Sequence, residues 1–144
     1  LNSRLDTLQA AILIPKLKAL RNYELDAVND AAQLYTTLLN EYVITPNIKN
    51  DYYSCWSQYT ILLENETVRD GLKEHLKYQN IPSMIYYPMG LHQQKALISV
   101  NTENTQFPNT DRITKRCLAL PMHPYLDRND INLIASAIIR YLHV

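Results

Sequence analysis

Glycine is almost absent: Gly71 and Gly90 are the only two in 144 residues. A glycine-rich phosphate cradle needs several residues without a Cβ in one short loop, so the common nucleotide-binding motifs are excluded. Cysteine is equally scarce. Cys55 and Cys117 lie too far apart for zinc-ligand spacing and are too few for a disulfide scaffold, so both are expected to be reduced, buried thiols. No apolar run approaches the roughly 20 residues needed to span a bilayer, and no charged leader precedes an apolar stretch. Charge of one sign is lacking too. Fourteen Lys and Arg balance fourteen Asp and Glu, and their scatter gives the molecule no field to draw it to nucleic acid or an anionic membrane. The expectation is a cytoplasmic protein with neither as partner.

Catalytic motifs are also sparse. His75, His92, His123 and His143 have no second ligand at metal-binding spacing and no HExxH is present, so no metal site is expected. Cys55 falls between aromatic residues instead of at a helix start, which favours a buried structural thiol over a nucleophile. Glu64 and Glu66 read as solvated acids beside a helix start.

What remains is material for one core. A chain of this length buries roughly two thirds of the surface its unfolded form exposes. It opens Leu1-Asn2-Ser3-Arg4 and passes within a few residues into a long helical pattern, which reads as the cut end of something longer. From Leu5 to Tyr42 apolar residues recur at a helical period, interrupted only by Pro15, which predicts one long helix with a kink, or two helices meeting, near Ile14. The stretch "YYSCWSQYTILL" (52–63) is aromatic and β-favouring and predicts a strand. Thr67 is the expected cap of the next helix, with Val68, Leu72 and Leu76 as its buried stripe and Asn80 as a left-handed stop. Residues 83–87 predict a second strand, Leu91–Leu97 a short helix and Thr110–Leu118 another. Asp127 or Asn129 opens a last helix whose inner face is Ile131, Ile134, Ala135, Ile138 and Leu142. Helices first and last around few strands predict an α+β fold with a small, mostly antiparallel sheet in a single domain, 1–144.

The segment "YYPMGLHQQ" (86–94) follows the second predicted strand. Consecutive strand residues face opposite sides, so one of Tyr86 and Tyr87 is expected in the core with the other's hydroxyl outward. His92 alone reads as a hydrogen-bonded packing residue.

Taken in order, "NSRLDTLQAAIL", "CWSQYTI", "RDGLKEHLKYQNIPSMIYYPMGLHQQ" and "FPNTDRITKRCLALPMHPYL" resemble the C-terminal part of the DegT/StrS family of sugar aminotransferases over nearly the whole chain. The resemblance implies the small C-terminal domain of the aspartate-aminotransferase-like fold, with residues 1–42 as the connecting helix, in a homodimer. It implies pyridoxal 5'-phosphate as cofactor, with glutamate and a nucleotide-linked ketosugar as substrates. The cofactor lysine would precede Leu1, so these residues alone would be inactive, contribute no catalytic group, and self-associate through the face left bare. Carried over residue by residue, Asn2 would reach the cofactor phosphate of the partner subunit and Arg4 the sugar nucleotide, while Tyr86, Tyr87 and His92 would border the sugar. The opening segment with "WSQYTI" looks closest to members acting on UDP-linked 3-keto-hexuronic sugars for O-antigen or capsule synthesis. Tyr86, Gly90 and Pro15 depart from the family pattern, which usually has histidine, proline and an aliphatic or lysine-rich turn at those places. The alternative is a non-enzymatic protein, either a regulatory family member or a free-standing interaction domain.

Overall fold

A computed structural model describes residues 4–97 and 105–143. Helix α1 (Thr7–Ala19) starts at Asp6, whose carboxylate accepts from Leu8 N–H at 3.0 Å while Gln9 returns its amide oxygen to Asp6 N–H at 3.1 Å. The two bonds satisfy donors that the first turn cannot. The helix runs through Pro15, and the departure from α geometry comes later, in a π-helical turn at Leu20–Glu24. Proline removes one donor and crowds the carbonyl four residues back; here the chain keeps its helical course past it and widens only in the next turn. Helix α2 (Leu25–Leu39) then enters the core with Val28, Ala31, Ala32, Tyr35 and Leu39.

The sheet is small. Strands β1 (Tyr59–Leu62) and β2 (Cys117–Leu120) pair antiparallel, Tyr59 opposite Leu120 and Leu62 opposite Cys117. Single antiparallel bridges extend it on both sides, Ile44 to Leu62 and Met84 to Ala119. β2 is therefore interior, and all four of its residues are buried. That burial on both faces explains why "CLAL" shows no alternation, and why the expected helix over Thr110–Leu118 took in its first two residues; the two-proline stretch from Leu118 reads as extended, and β2 agrees with that as far as Leu120. The predicted strand at 52–63 shrinks to its last part for the opposite reason. Residues 52–56 are held by side-chain bonds to α2 in place of a ladder, and Asp51 and Trp56 take positive φ values of 73° and 42°. Cys55 is consequently exposed, against expectation, while Cys117 is buried.

Helix α3 (Glu66–Tyr78) is capped by Asn65, whose side-chain oxygen accepts from Val68 N–H at 3.0 Å, in place of the expected Thr67. It ends as the sequence indicates. Asn80 has φ 59°, and Ile81 N–H returns to Leu76 O at 2.9 Å while Asn80 N–H returns to Lys77 O at 3.0 Å, the bonding of a left-handed helix stop. Helix α4 (Pro108–Thr114) and helix α5 (Arg128–Leu142) complete the chain, the latter capped by Asp127 at 2.8 Å from Asp130 N–H. Leu91–Gln93 forms one 3-10 turn.

The core lies between α2, α3 and α5 on one side and the sheet on the other, around Tyr35, Leu39, Tyr59, Ile61, Leu72, Leu76, Leu118 and Ile138. Tyr35 and Tyr59 stack with ring centroids 5.1 Å apart; Tyr35 donates to Pro121 O at 3.2 Å, and the Tyr59 hydroxyl lies 2.8 Å from Thr36 Oγ1. Arg69, 5% exposed, clips α3 to α4 by donating to Thr114 O at 3.1 Å, with its remaining nitrogens on Asp70 and Glu66. In contrast, α1 buries no residue. Leu8, Ile12, Leu13, Ile14 and Leu17 all stand in solvent, and an apolar groove follows Leu5, Leu13, Ile14, Leu17 and Leu20. The single apolar face expected of this stretch is not what α1 has: its apolar residues, Ile12, Leu13 and Ile14 in succession among them, stand on several sides of the helix, and no residue of the described core covers them. Among the described residues no helix is long and apolar enough to cross a membrane.

Candidate functional site

The Tyr86–Gln94 segment leaves the sheet edge at the Met84–Ala119 bridge, where Met84 N–H donates to Ala119 O at 3.0 Å and Ala119 N–H to Met84 O at 2.8 Å. Strand pairing stops there, so the alternation expected of Tyr86 and Tyr87 does not apply. Both are outward, at 53% and 67% exposure, and Ile85 supplies the core contact instead. Tyr86 forms one wall of a groove of about 180 Å³ whose other residues include Ser57, Gln58, Ser83, Met84 and Met122. No charged side chain lines it. Such a groove offers hydroxyl and amide partners plus an aromatic edge, which suits an uncharged polar ring and gives a carboxylate no counter-ion. Tyr87 turns its carbonyl towards Cys117, 4.0 Å from the sulfur.

His92 belongs to a different arrangement. Its Nε2–H donates to Asp111 Oδ1 at 3.0 Å, and its ring packs 4.9 Å from that of Phe107. Gln93 donates to the same Asp111 oxygen at 2.9 Å and accepts from Gly90 N–H at 3.2 Å through its Oε1. A Cβ placed on Gly90 would lie 2.5 Å from His92 Cε1 and 2.7 Å from its Nδ1. The buried backbone of Gly90 thus makes room for the imidazole. The reading of His92 as a hydrogen-bonded packing residue matches this geometry. Asp111 and Phe107 escaped the sequence reading because nothing local marks them; they meet His92 only after a polar stretch of chain.

The other sequence-derived candidates do not join this cluster. Arg4 is exposed, ahead of the cap of α1, and Asn2 lies outside the described residues. Among the described residues no group of three or more His, Cys, Asp and Glu is placed to hold a metal ion. The other histidines are in packing positions, His75 beside Gln79 and Tyr141, His123 beside Tyr125 and His143 beside Tyr42. None of the seven lysines is buried, and only Lys73 is even half-buried. A pyridoxal site needs an amine enclosed beside the cofactor and a cradle for its phosphate. Among the described residues no lysine is enclosed in this way.

The described residues thus form an α+β unit with a bare leading helix and two exposed tyrosines beyond a sheet edge. The chain belongs to the DegT/DnrJ/EryC1/StrS aminotransferase family, whose profile matches residues 1–139. It is 36% identical over 137 residues to the UDP-2-acetamido-2-deoxy-3-oxo-D-glucuronate aminotransferase of Pseudomonas aeruginosa, which covers 95% of this chain and 36% of that protein. It is also 36% identical over 144 residues to a protein of Geobacillus stearothermophilus called a pleiotropic regulatory protein, covering 97% of this chain and 38% of that one. Among solved structures, a DegT/DnrJ/EryC1/StrS aminotransferase from Brucella abortus superimposes with a TM-score of 0.89 at 40% identity, over 98% of this chain and 37% of that one. The chain thus spans less than two fifths of the length of these relatives.

Proposed function

We propose that these residues are the C-terminal domain of a pyridoxal 5'-phosphate-dependent aminotransferase that moves an amino group from glutamate to a nucleotide-linked ketosugar. The observation that carries this is the family match across residues 1–139, joined to the 36% identity with an enzyme named for a UDP-linked 3-oxo-glucuronate. In this reading the cofactor's lysine belongs to the part of the family fold that these residues do not span. The cofactor itself supplies the electron sink for the transfer.

This domain's share is substrate shape. Tyr86 and Tyr87 border the sugar, the uncharged groove beside Tyr86 takes its hydroxyl or amide substituents, and Arg4 meets an acidic group by the paired donors of a guanidinium. Asn2 donates to the cofactor phosphate of the partner subunit in a homodimer. The exposed apolar surface of α1 is covered in the whole protein, because a face of that extent is a docking surface. A UDP-3-keto-hexuronic sugar of an O-antigen or capsule route is the substrate we assign.

The test is amino transfer by the full-length protein from glutamate to a panel of UDP- and dTDP-ketosugars. Turnover of a UDP-3-oxo-hexuronate is the expected result, with Arg4→Ala raising KM for that substrate. Absence of transfer to every member of the panel would instead favour the regulatory reading, to which the 36% identity with the pleiotropic regulatory protein points.

A further inference from the structure

The loop that displays Tyr86 and Tyr87 is tied at two places, and the second tie converges on one oxygen atom. Its near end is the Met84–Ala119 bridge. At its far end, Asp111 Oδ1 receives both His92 Nε2–H and Gln93 Nε2–H, at 3.0 and 2.9 Å. Gln93 in turn closes a ring with Gly90: its Oε1 accepts from Gly90 N–H at 3.2 Å, and its own N–H donates to Gly90 O at 3.0 Å. The His92 ring fills the space between Gly90 and Phe107. Residues 85–89 run between the two ties, with the weak sulfur contact from Cys117 to Tyr87 O along that length.

We propose that Asp111 is a positioning residue that fixes the shape of the Tyr86–Met89 segment through His92 and Gln93, and thereby sets substrate affinity without touching substrate. The inference rests on the reading of Tyr86 and Tyr87 as a sugar border. A carboxylate suits the task because one ionised oxygen accepts two donors at once, and bonds to a charged acceptor are about twice as strong as neutral ones. Gly90 belongs to the same device. A Cβ there would stand 2.5 Å from the imidazole, so the bare Gly90 backbone lets the ring sit against it.

The experiment uses the full-length protein and two readouts. Without substrate, amide hydrogen exchange at Gly90 and Gln93, whose N–H bonds close the turn, should accelerate roughly tenfold or more in Asp111→Ala, the size expected when a bond to a charged group is lost. With UDP-2-acetamido-2-deoxy-3-oxo-D-glucuronate and glutamate, KM should rise by a similar factor while kcat stays within about threefold. Asp111→Asn keeps one acceptor oxygen but not its charge and should recover only part of both losses. If Asp111→Ala does not fold, Gln93→Ala and Gly90→Ala disturb the tie from its other members and must accelerate the same amides. Unchanged exchange in these variants overturns the proposal, as does faster exchange with an unchanged KM when Tyr87→Ala raises it. The border reading fails separately if Tyr86→Ala and Tyr87→Ala both leave KM unchanged; the exchange rates, measured without substrate, then still decide whether Asp111 holds the loop.

Discussion

Tyr125 and Glu24, 101 residues apart, are joined by a hydrogen bond of 2.6 Å from the phenol to the carboxylate. Glu24 is the last residue of the π-helical turn, and Tyr125 lies just ahead of α5. The bond therefore fastens the junction between the bare helix α1 and the core helix α2 to the body of the domain. Its chemistry shows in the phenol: the hydrogen bond to Glu24, then that to Tyr23, hold the Tyr125 pKa above its ordinary value. Tyr125→Phe should release the turn while leaving the core intact. Amides of Leu20–Leu25 should exchange faster than in the parent protein, and those of Ile134–Ile138 should not change. Equal exchange at the turn in both proteins would show that the bond does not hold the junction.

A second tie fastens the segment ahead of β1. The Asn29 amide donates to Leu25 O at 2.7 Å and Ser54 O at 3.0 Å, and its oxygen accepts from Trp56 Nε1–H at 2.9 Å. Every partner is internal, so Asn29→Ala leaves an indole donor and a carbonyl seeking water. The cost should be about 1–2 kcal/mol, the usual penalty for unpairing partly buried groups. Trp56 is the only tryptophan, so its fluorescence reports the event directly. A red-shifted emission with a lower denaturation midpoint is expected; unchanged emission would mean that the ring is held by its 5.5 Å packing on Tyr59 alone.

The stacked pair Tyr35 and Tyr59 gives stability a dependence on alkaline pH. Burial is the main cause raising both phenol pKa values, with the nearby Asp130 charge adding to the effect on Tyr35. A group whose pKa is raised on folding binds its proton more tightly in the native state. Stability is then fully present below the ordinary tyrosine pKa of about 10 and falls as pH rises above it, because the unfolded chain releases the protons first. Urea midpoints measured from pH 9 to 11 should therefore decline, and Tyr59→Phe should flatten that decline relative to the parent. Parallel declines in both proteins would place the effect on other groups.

How much of this arrangement the sequence discloses depends on whether the signal is local. Helix α5 and the end of α3 are legible because Asp127, Asn80 and the Ile131–Ile138 stripe each act within a turn or two of chain. The α+β class follows from the same patterns. The strands are poorly legible: β2 is buried on both faces and shows no alternation, while the aromatic run before β1 mimics a strand and is bound to α2 by Asn29 and Asp26 instead. The site divides in the same way. The proline and glycine after Tyr86 and Tyr87 mark a loop, but not that both rings face outward: strand alternation put one of them in the core, and pairing ends before it could apply. Asp111 carries no mark, because its meaning arises only when α4 folds back onto the turn at Leu91–Gln93.

Gly71, despite the poor helix propensity of glycine, is expected to be the stable choice at its position. It lies inside α3, where alanine would ordinarily gain about 1 kcal/mol. A Cβ there would stand 2.0 Å from the Tyr141 hydroxyl and 3.1 Å from its ring carbon. Contact this close forces either the α5 side chain or α3 itself to move, and overpacking of that kind costs about 1–3 kcal/mol. Gly71→Ala should thus destabilise the protein despite the propensity gain. In a Tyr141→Leu background the obstruction is gone, and the same substitution should stabilise by up to about 1 kcal/mol. The change of sign is the informative quantity, since a double-mutant cycle over the two sites isolates their coupling. Urea unfolding of the four proteins measures it. An identical effect of Gly71→Ala in both backgrounds would mean that α3 tolerates the methyl by shifting away from α5, and that the glycine answers to something other than Tyr141.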